Sequence, residues 1–587
     1  MLCLFLVFIS VFQLSRIGLL DNSEHFTNAE TGEYTTVANN TVLSNTHQLG
    51  KIALIYDETA VDRLYVYENF ESILSKYSIA FDTIDAADNY DLTGYDMLIV
   101  IIGNYENARI LQDVFNFIEA GGTAYFPVVP VDSDSFRSVM GMMGIIEKSY
   151  FGECKDIIDV KGLLGEKGKT YYFDTPLQIR YFVLRLRSDC DIYFEDSDGN
   201  PLLWKRPLGE GSIYMCNADY LSSYSSRGVI SQILYEVLKQ EKSQAFIYPL
   251  YMVSTQVLQE FPSANKLSDS KLLTEEGLTY DTFIEDRLWP LISEMNERYG
   301  AKTTAAFVMS YDENTEGDFN KSLLSNSSIK SYSIEVLRKG GEIAYHGYSY
   351  RPLGLKGELN NLGWFIPWKD MDTIEESLDL ANDNFTSLFP NYELRVYIPP
   401  QGRVSSNVIS NLKRMQPNVE VIVSPYERMY YDQINKDFER GSDGFFYYSM
   451  TTDINGMVWN TVNSLVSLGI SSFSVDANQM LLDEVLTWDK FEALITDSYE
   501  IIDGYTGLEN MTVSEACAKI ECVNNADYSY TETDTAIELR IDGWYSGMAF
   551  ALRYEGALSD GNGYSLEKYM DGYYIVRPES ENITIRK

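Results

Sequence analysis

Gly341-Glu342-Ile343-Ala344-Tyr345-His346-Gly347-Tyr348-Ser349-Tyr350 carries His346, the only histidine beyond residue 47. The stretch reads as a buried strand that ends on a histidine and continues into small and aromatic residues. A second histidine four residues on would make a pair of imidazoles able to grip one divalent cation. Tyr350 stands there instead, and a phenol with a pKa near ~10 is a poor ligand at neutral pH. The loop therefore has the form of half a metal site. His25 and His47 do not supply the missing half, because both fall in a polar stretch well before the first regular element.

Working outward, strand-like and helix-like segments alternate on both sides of this loop. Thr282 to Tyr299 reads as a helix, Thr303 to Met309 as a strand, Asp372 to Leu388 as a long helix and Arg395 to Pro399 as a strand. Asn407 to Met415 is helical, and Val419 to Val423, Gly444 to Tyr448 and Ile470 to Val475 are strands. Roughly seven such units predict a (β/α) barrel over residues 244–506. Upstream, residues 50–243 repeat the alternation. Lys51 to Asp57, Ile79 to Ile84, Asp96 to Ile102, Thr123 to Val129 and Gly211 to Ala218 read as strands. Val66 to Tyr77, Ile110 to Ala120 and Gly228 to Lys239 read as helices, so a parallel sheet covered by helices is expected. Residues 150–206 read as a strand-rich insertion. Downstream, residues 507–587 turn to period-two alternation, as in Ala536-Ile537-Glu538-Leu539-Arg540-Ile541, which predicts a small C-terminal β-domain.

At the N-terminus, Leu2 to Leu14 is apolar apart from Ser10 and Gln13, and Ile17-Gly18-Leu19-Leu20 follows Ser15 and Arg16. Residues 1–21 are read as a signal anchor or signal peptide with the remainder exported, the anchor favoured because no Ala-x-Ala pattern follows. Residues 22–49, rich in Asn, Thr, Ser and Glu, are read as a linker lifting the body off the membrane. The formal charge of -40, from 86 acidic and 46 basic residues among 587, disfavours nucleic acid and anionic lipid headgroups as partners. Six cysteines without a Cys-x-x-Cys pair exclude a disulfide scaffold and a cysteine-based zinc site.

The upstream sheet resembles the flavodoxin-like and glutamine-amidotransferase-like families in layout. It lacks a Gly-x-Gly-x-x-Gly loop and a nucleophilic cysteine elbow, so it is read as a non-catalytic spacer or docking domain. The barrel resembles the polysaccharide deacetylase (NodB-homology) superfamily, and most closely its PelA-like, membrane-anchored branch in Pel exopolysaccharide systems. That resemblance implies metal-dependent removal of acetyl groups from N-acetylhexosamines, with a cation-bound water and a carboxylate base.

Motif by motif the chain departs from that pattern. Where the family places two aspartates, Gln259-Glu260-Phe261-Pro262-Ser263 leaves Glu260 as the carboxylate. In the His-x-x-x-His motif, His346 keeps the first ligand and Tyr350 replaces the second. In Tyr397-Ile398-Pro399-Pro400-Gln401-Gly402 the turn survives and Ile398 stands for the arginine. Phe473-Ser474-Val475-Asp476 ends the last strand on Asp476 where the family has a histidine. The expectation is an exported, membrane-anchored and catalytically impaired homologue that binds or guides an amino-sugar polysaccharide. Glu260 and Asp476 are the candidate catalytic carboxylates and His346 the candidate metal ligand. Tyr348, Tyr350, Trp364 and Trp368 are the candidate sugar-stacking rings. One alternative is an active deacetylase with a carboxylate-rich site, taking one divalent cation, manganese or magnesium rather than zinc. Another is a non-catalytic subunit docked onto a membrane polysaccharide synthase.

Overall fold

Short apolar runs followed by amphipathic segments fold as the alternation predicts. The computed structural model describes residues 26–28, 51–57, 64–88, 90–106, 108–177, 181–241, 245–263, 272–311, 313–319, 326–359, 365–426, 436–476, 478 and 486–587. The chain is mixed α/β and divides into two units. One comprises Thr35–Met252, Asn455–Ile470 and Cys522–Lys587; the other comprises Met1–Tyr34, Val253–Ile454 and Ser471–Glu521.

In the first of these, Ile52–Tyr56, Phe81–Asp85, Met97–Ile101, Thr123–Phe126 and Gly211–Cys216 pair in parallel. Numbered along the chain, their spatial order is 2-1-3-4-5. The predicted insertion does not stand apart. Pro201–Leu208, Asp191–Glu195, Cys154–Asp159 and Lys169–Leu177 extend the same sheet, in that order, to nine strands. Met97–Ile101 is buried along its whole length, as a strand covered on both faces must be.

Three segments depart from the expected domain boundaries. Phe246–Leu250, expected within the barrel, instead hydrogen-bonds along Ala549–Arg553 in a four-stranded sheet with Tyr573–Pro578 and Tyr564–Met570. The helix Met457–Leu468 packs against Arg227–Glu241, where the Asn463 Oδ1 accepts the Val229 amide hydrogen at 3.1 Å. That approach requires Gly228, since a Cβ there would lie 2.8 Å from the Asn463 Cα. Conversely, residues 507–521, expected in the C-terminal β-domain, belong with the barrel. Their helix Val513–Asn525 is tied down by Lys302 to Glu515 at 2.8 Å and by Val513 N–H to Thr304 Oγ1 at 3.0 Å.

In the other unit, seven parallel strands follow one another in chain order: Val253–Gln259, Thr303–Ser310, Glu342–Ser349, Val396–Tyr397, Val421–Pro425, Phe446–Met450 and Ile470–Asp476. The last pairs with the first, and a parallel bridge between Thr451 and Phe473 joins the sixth to the seventh. Two backbone bonds hold that seam, Thr451 N–H to Ser472 O at 2.7 Å and Ser474 N–H to Thr451 O at 2.8 Å. The Thr255 and Tyr448 hydroxyls, from the first and sixth strands, meet at 2.7 Å inside the ring. Tyr345 faces outward, in line with Phe307, which stacks at 5.0 Å on Phe385 of the covering helix Met371–Leu388. Side chains fill the interior, so a site on this scaffold belongs at the rim formed by the C-terminal strand ends.

Candidate functional site

At that rim the first strand leaves the barrel through Glu260, a non-glycine residue with φ of 52°. Such backbone is costly away from glycine and persists where the surroundings hold it. Here Phe261 N–H bonds to Ala306 O at 2.9 Å, while Glu260, only 3% exposed, accepts a 2.7 Å hydrogen bond from the Tyr311 hydroxyl on Oε2. Tyr311 is the first residue after the second strand.

The third strand carries a β-bulge. Phe307 pairs with Tyr345, but Val308 pairs with Gly347, so His346 is the extra residue. Gly347 absorbs the kink with φ of 115°. The bulge brings the fully buried His346 ring between two main-chain groups. Its Nδ1 lies 2.7 Å from the Ile398 carbonyl, and its Nε2 lies 3.2 Å from the Glu260 amide nitrogen. A carbonyl can only accept and an amide N–H only donate, so Nδ1 carries the proton and the Nε2 lone pair is taken. Burial pushes this imidazole down to about 4, with the bond to Ile398 opposing. The ring is neutral and fully engaged.

In this structure both ring nitrogens of His346, the expected metal ligand, are engaged by main-chain groups, Nδ1 by the Ile398 carbonyl and Nε2 by the Glu260 amide. Tyr350, in place of the second imidazole, packs edge-on against His346 with centroids 5.0 Å apart. Among the described residues no group of three or more His, Cys, Asp and Glu side chains is gathered to hold an ion. The residues present do not fit the two-histidine cation site that the deacetylase pattern implies.

Both predicted carboxylates act electrostatically on the same two phenols. Burial raises the phenols of Tyr280 and Tyr350, and the charges of both Glu260 and Asp476 raise them further. Tyr311 is raised likewise, by burial and then by Glu260. Asp476, ending the last strand, accepts the Asn478 amide hydrogen at 2.7 Å on Oδ1. The Pro400–Gly402 turn closes this side of the rim, with Gln401 and Gly402 at φ of 56° and 67°.

The aromatic residues divide. Tyr350 belongs to the rim, but Tyr348 and Trp368 do not: they are 1% and 2% exposed and both pack on Phe319. The Trp368 indole N–H is already given to Pro352 O at 3.1 Å. These two rings are core, and Trp364 lies outside the described residues. Sequence reasoning missed Tyr280, Tyr311 and Ser263, whose Oγ sits 3.4 Å from the Tyr280 hydroxyl. Position just beyond a barrel strand was the available signal for Tyr311, hidden because that strand runs one residue past its expected end at Met309.

A family model described as an uncharacterised protein conserved in bacteria (DUF2194) matches residues 169–575. No curated protein sequence matches the chain. Among solved structures, it is similar to Agd3, described as a novel carbohydrate deacetylase, with 10% identity, a TM-score of 0.47, and 92% of this chain and 98% of that chain covered. It is also similar to a β-galactosidase from Bacillus circulans sp. alkalophilus, at 20% identity and a TM-score of 0.24, with 35% of this chain and 34% of that one covered. A ThuA-like protein from Bacteroides uniformis ATCC 8492 aligns at 12% identity and a TM-score of 0.26, over 35% of this chain and 97% of its own.

Proposed function

Since the chain belongs to the DUF2194 family of uncharacterised bacterial proteins, we propose that it is a carbohydrate-binding member with a deacetylase-like barrel, holding an N-acetylhexosamine polymer without hydrolysing it. In this reading the protein is exported, anchored by its apolar N-terminal segment, and works in exopolysaccharide synthesis or modification. The motif resemblance to NodB-type deacetylases of the PelA-like branch supplies the substrate class. The observation that carries the loss of activity is His346, with both ring nitrogens committed to main-chain partners and Tyr350 where a second ligand would stand. The Tyr350 ring offers a face to sugar C–H groups, and Glu260 and Asp476 offer acceptors to hydroxyl or amine hydrogens. The parallel-sheet unit serves as the flavodoxin-like spacer or docking element.

The test uses the purified full chain with acetylated hexosamine oligomers in the presence of zinc, manganese or magnesium. Calorimetric binding without acetate release is expected. Acetate release that Glu260→Gln abolishes would show an active deacetylase and end this reading.

A further inference from the structure

Within the stretch expected to be a linker, residues 26–28 sit on the barrel. The Asn28 side chain behaves as a piece of strand: its Nδ2–H donates to Glu393 O at 2.8 Å, and Glu393 N–H donates back to Oδ1 at 2.9 Å. Phe26 packs edge-on against Phe389, with ring centroids 6.1 Å apart. Asn28 also borders a small enclosed cavity beside Glu342, Tyr392, Arg395 and Ser514. Glu342 opens the third barrel strand and Arg395 immediately precedes the fourth. The contact is therefore at the N-terminal strand ends, whereas Glu260, His346 and Asp476 lie toward the C-terminal ends.

The apolar run ends at Leu20, six residues before Phe26. Fully extended chain covers at most about 3.6 Å per residue, so Phe26 lies within about 20 Å of the end of that run. The third strand, eight residues long, adds about 20 Å of tilted barrel between the two ends. We propose that the barrel end bearing Phe389 and Glu393 faces the lipid surface, clipped there by Phe26 and Asn28, and that the rim with Glu260 and His346 points away from the membrane. This rests on the reading of residues 2–20 as an anchor. A rim turned outward meets a polymer after it has left the bilayer.

The experiment reconstitutes the full chain in phosphatidylcholine vesicles carrying a headgroup quencher, in a Cys3→Ser, Cys190→Ser background. A fluorophore is attached at Asn391→Cys near the clip or at Gln401→Cys on the rim. Quenching at least twofold stronger at position 391 is expected, and the double variant Phe26→Ala, Asn28→Ala should abolish the difference. Equal or reversed quenching in vesicle-bound protein overturns the orientation while leaving the anchor intact. Protein that does not sediment with vesicles, with residues 1–20 retained by mass spectrometry, overturns the anchor and the orientation with it.

Discussion

His346 is neutral because its two partners are main-chain groups that fix opposite roles on its nitrogens, and because it is fully buried. A free histidine titrates near 6.5, whereas burial holds this one at about 4. As pH falls, the unfolded chain takes up the proton first, so this contribution to stability is complete above 6.5 and drains away as pH falls through about 4. The full span corresponds to about 3 kcal/mol. Replacing His346 with Gln keeps a donor for the Ile398 carbonyl and an acceptor for the Glu260 amide but removes the titration. Urea unfolding at pH 7 and pH 4.5 should therefore show a smaller loss for His346→Gln than for the natural chain. Parallel losses in the two proteins would mean that another group governs the acid limb.

The turn at Pro400–Gly402 does at the level of an element what His346 does at the level of a residue: it places a backbone carbonyl, that of Ile398, against the rim. Gly402 is needed twice over, since its φ is 67° and a Cβ would fall 2.3 Å from the Pro425 ring. Gly402→Ala should destabilise the barrel by about 2 kcal/mol through backbone strain and overlap, read as a lowered urea midpoint with an unchanged slope. This turn was expected from the resemblance, because Pro399-Pro400-Gln401-Gly402 keeps the Pro-Pro-x-Gly of the deacetylase motif. The alternating strands and helices were legible in the sequence, because their periods are local. The assignment of Phe246–Leu250 was not legible, because its pairing with Ala549–Arg553 joins segments far apart in the chain. Tyr348 and Trp368 were misplaced for a similar reason: the ring that buries both is Phe319, which no local pattern connects to them. Glu260 and Asp476 were singled out by their places in the deacetylase motifs, at or next to the ends of the first and last strands. The main-chain partners of His346, Ile398 O and Glu260 N–H, were not legible, because amides and carbonyls leave no mark in residue identity.

Across the whole molecule the dominant physical fact is a formal charge of -40, a field that acts beyond any single contact. An N-acetylated polymer is neutral, but each acetyl group lost leaves an amine that is protonated at neutral pH, so a de-N-acetylated stretch is a polycation. Attraction between such a chain and this surface is screened over about 10 Å at 0.1 M salt and about 3 Å at 1 M. Binding of de-N-acetylated glucosamine oligomers should therefore weaken on the order of fivefold or more between 0.05 and 0.5 M sodium chloride, mainly through slower association. Acetylated oligomers, held by Tyr350 and by hydrogen bonds at the rim, should bind with an affinity that salt scarcely alters. Surface plasmon resonance with the two oligomer series separates these contributions. Equal salt dependence for both would mean that the acidic surface does not take part in binding, and would leave solubility as the role of the charge.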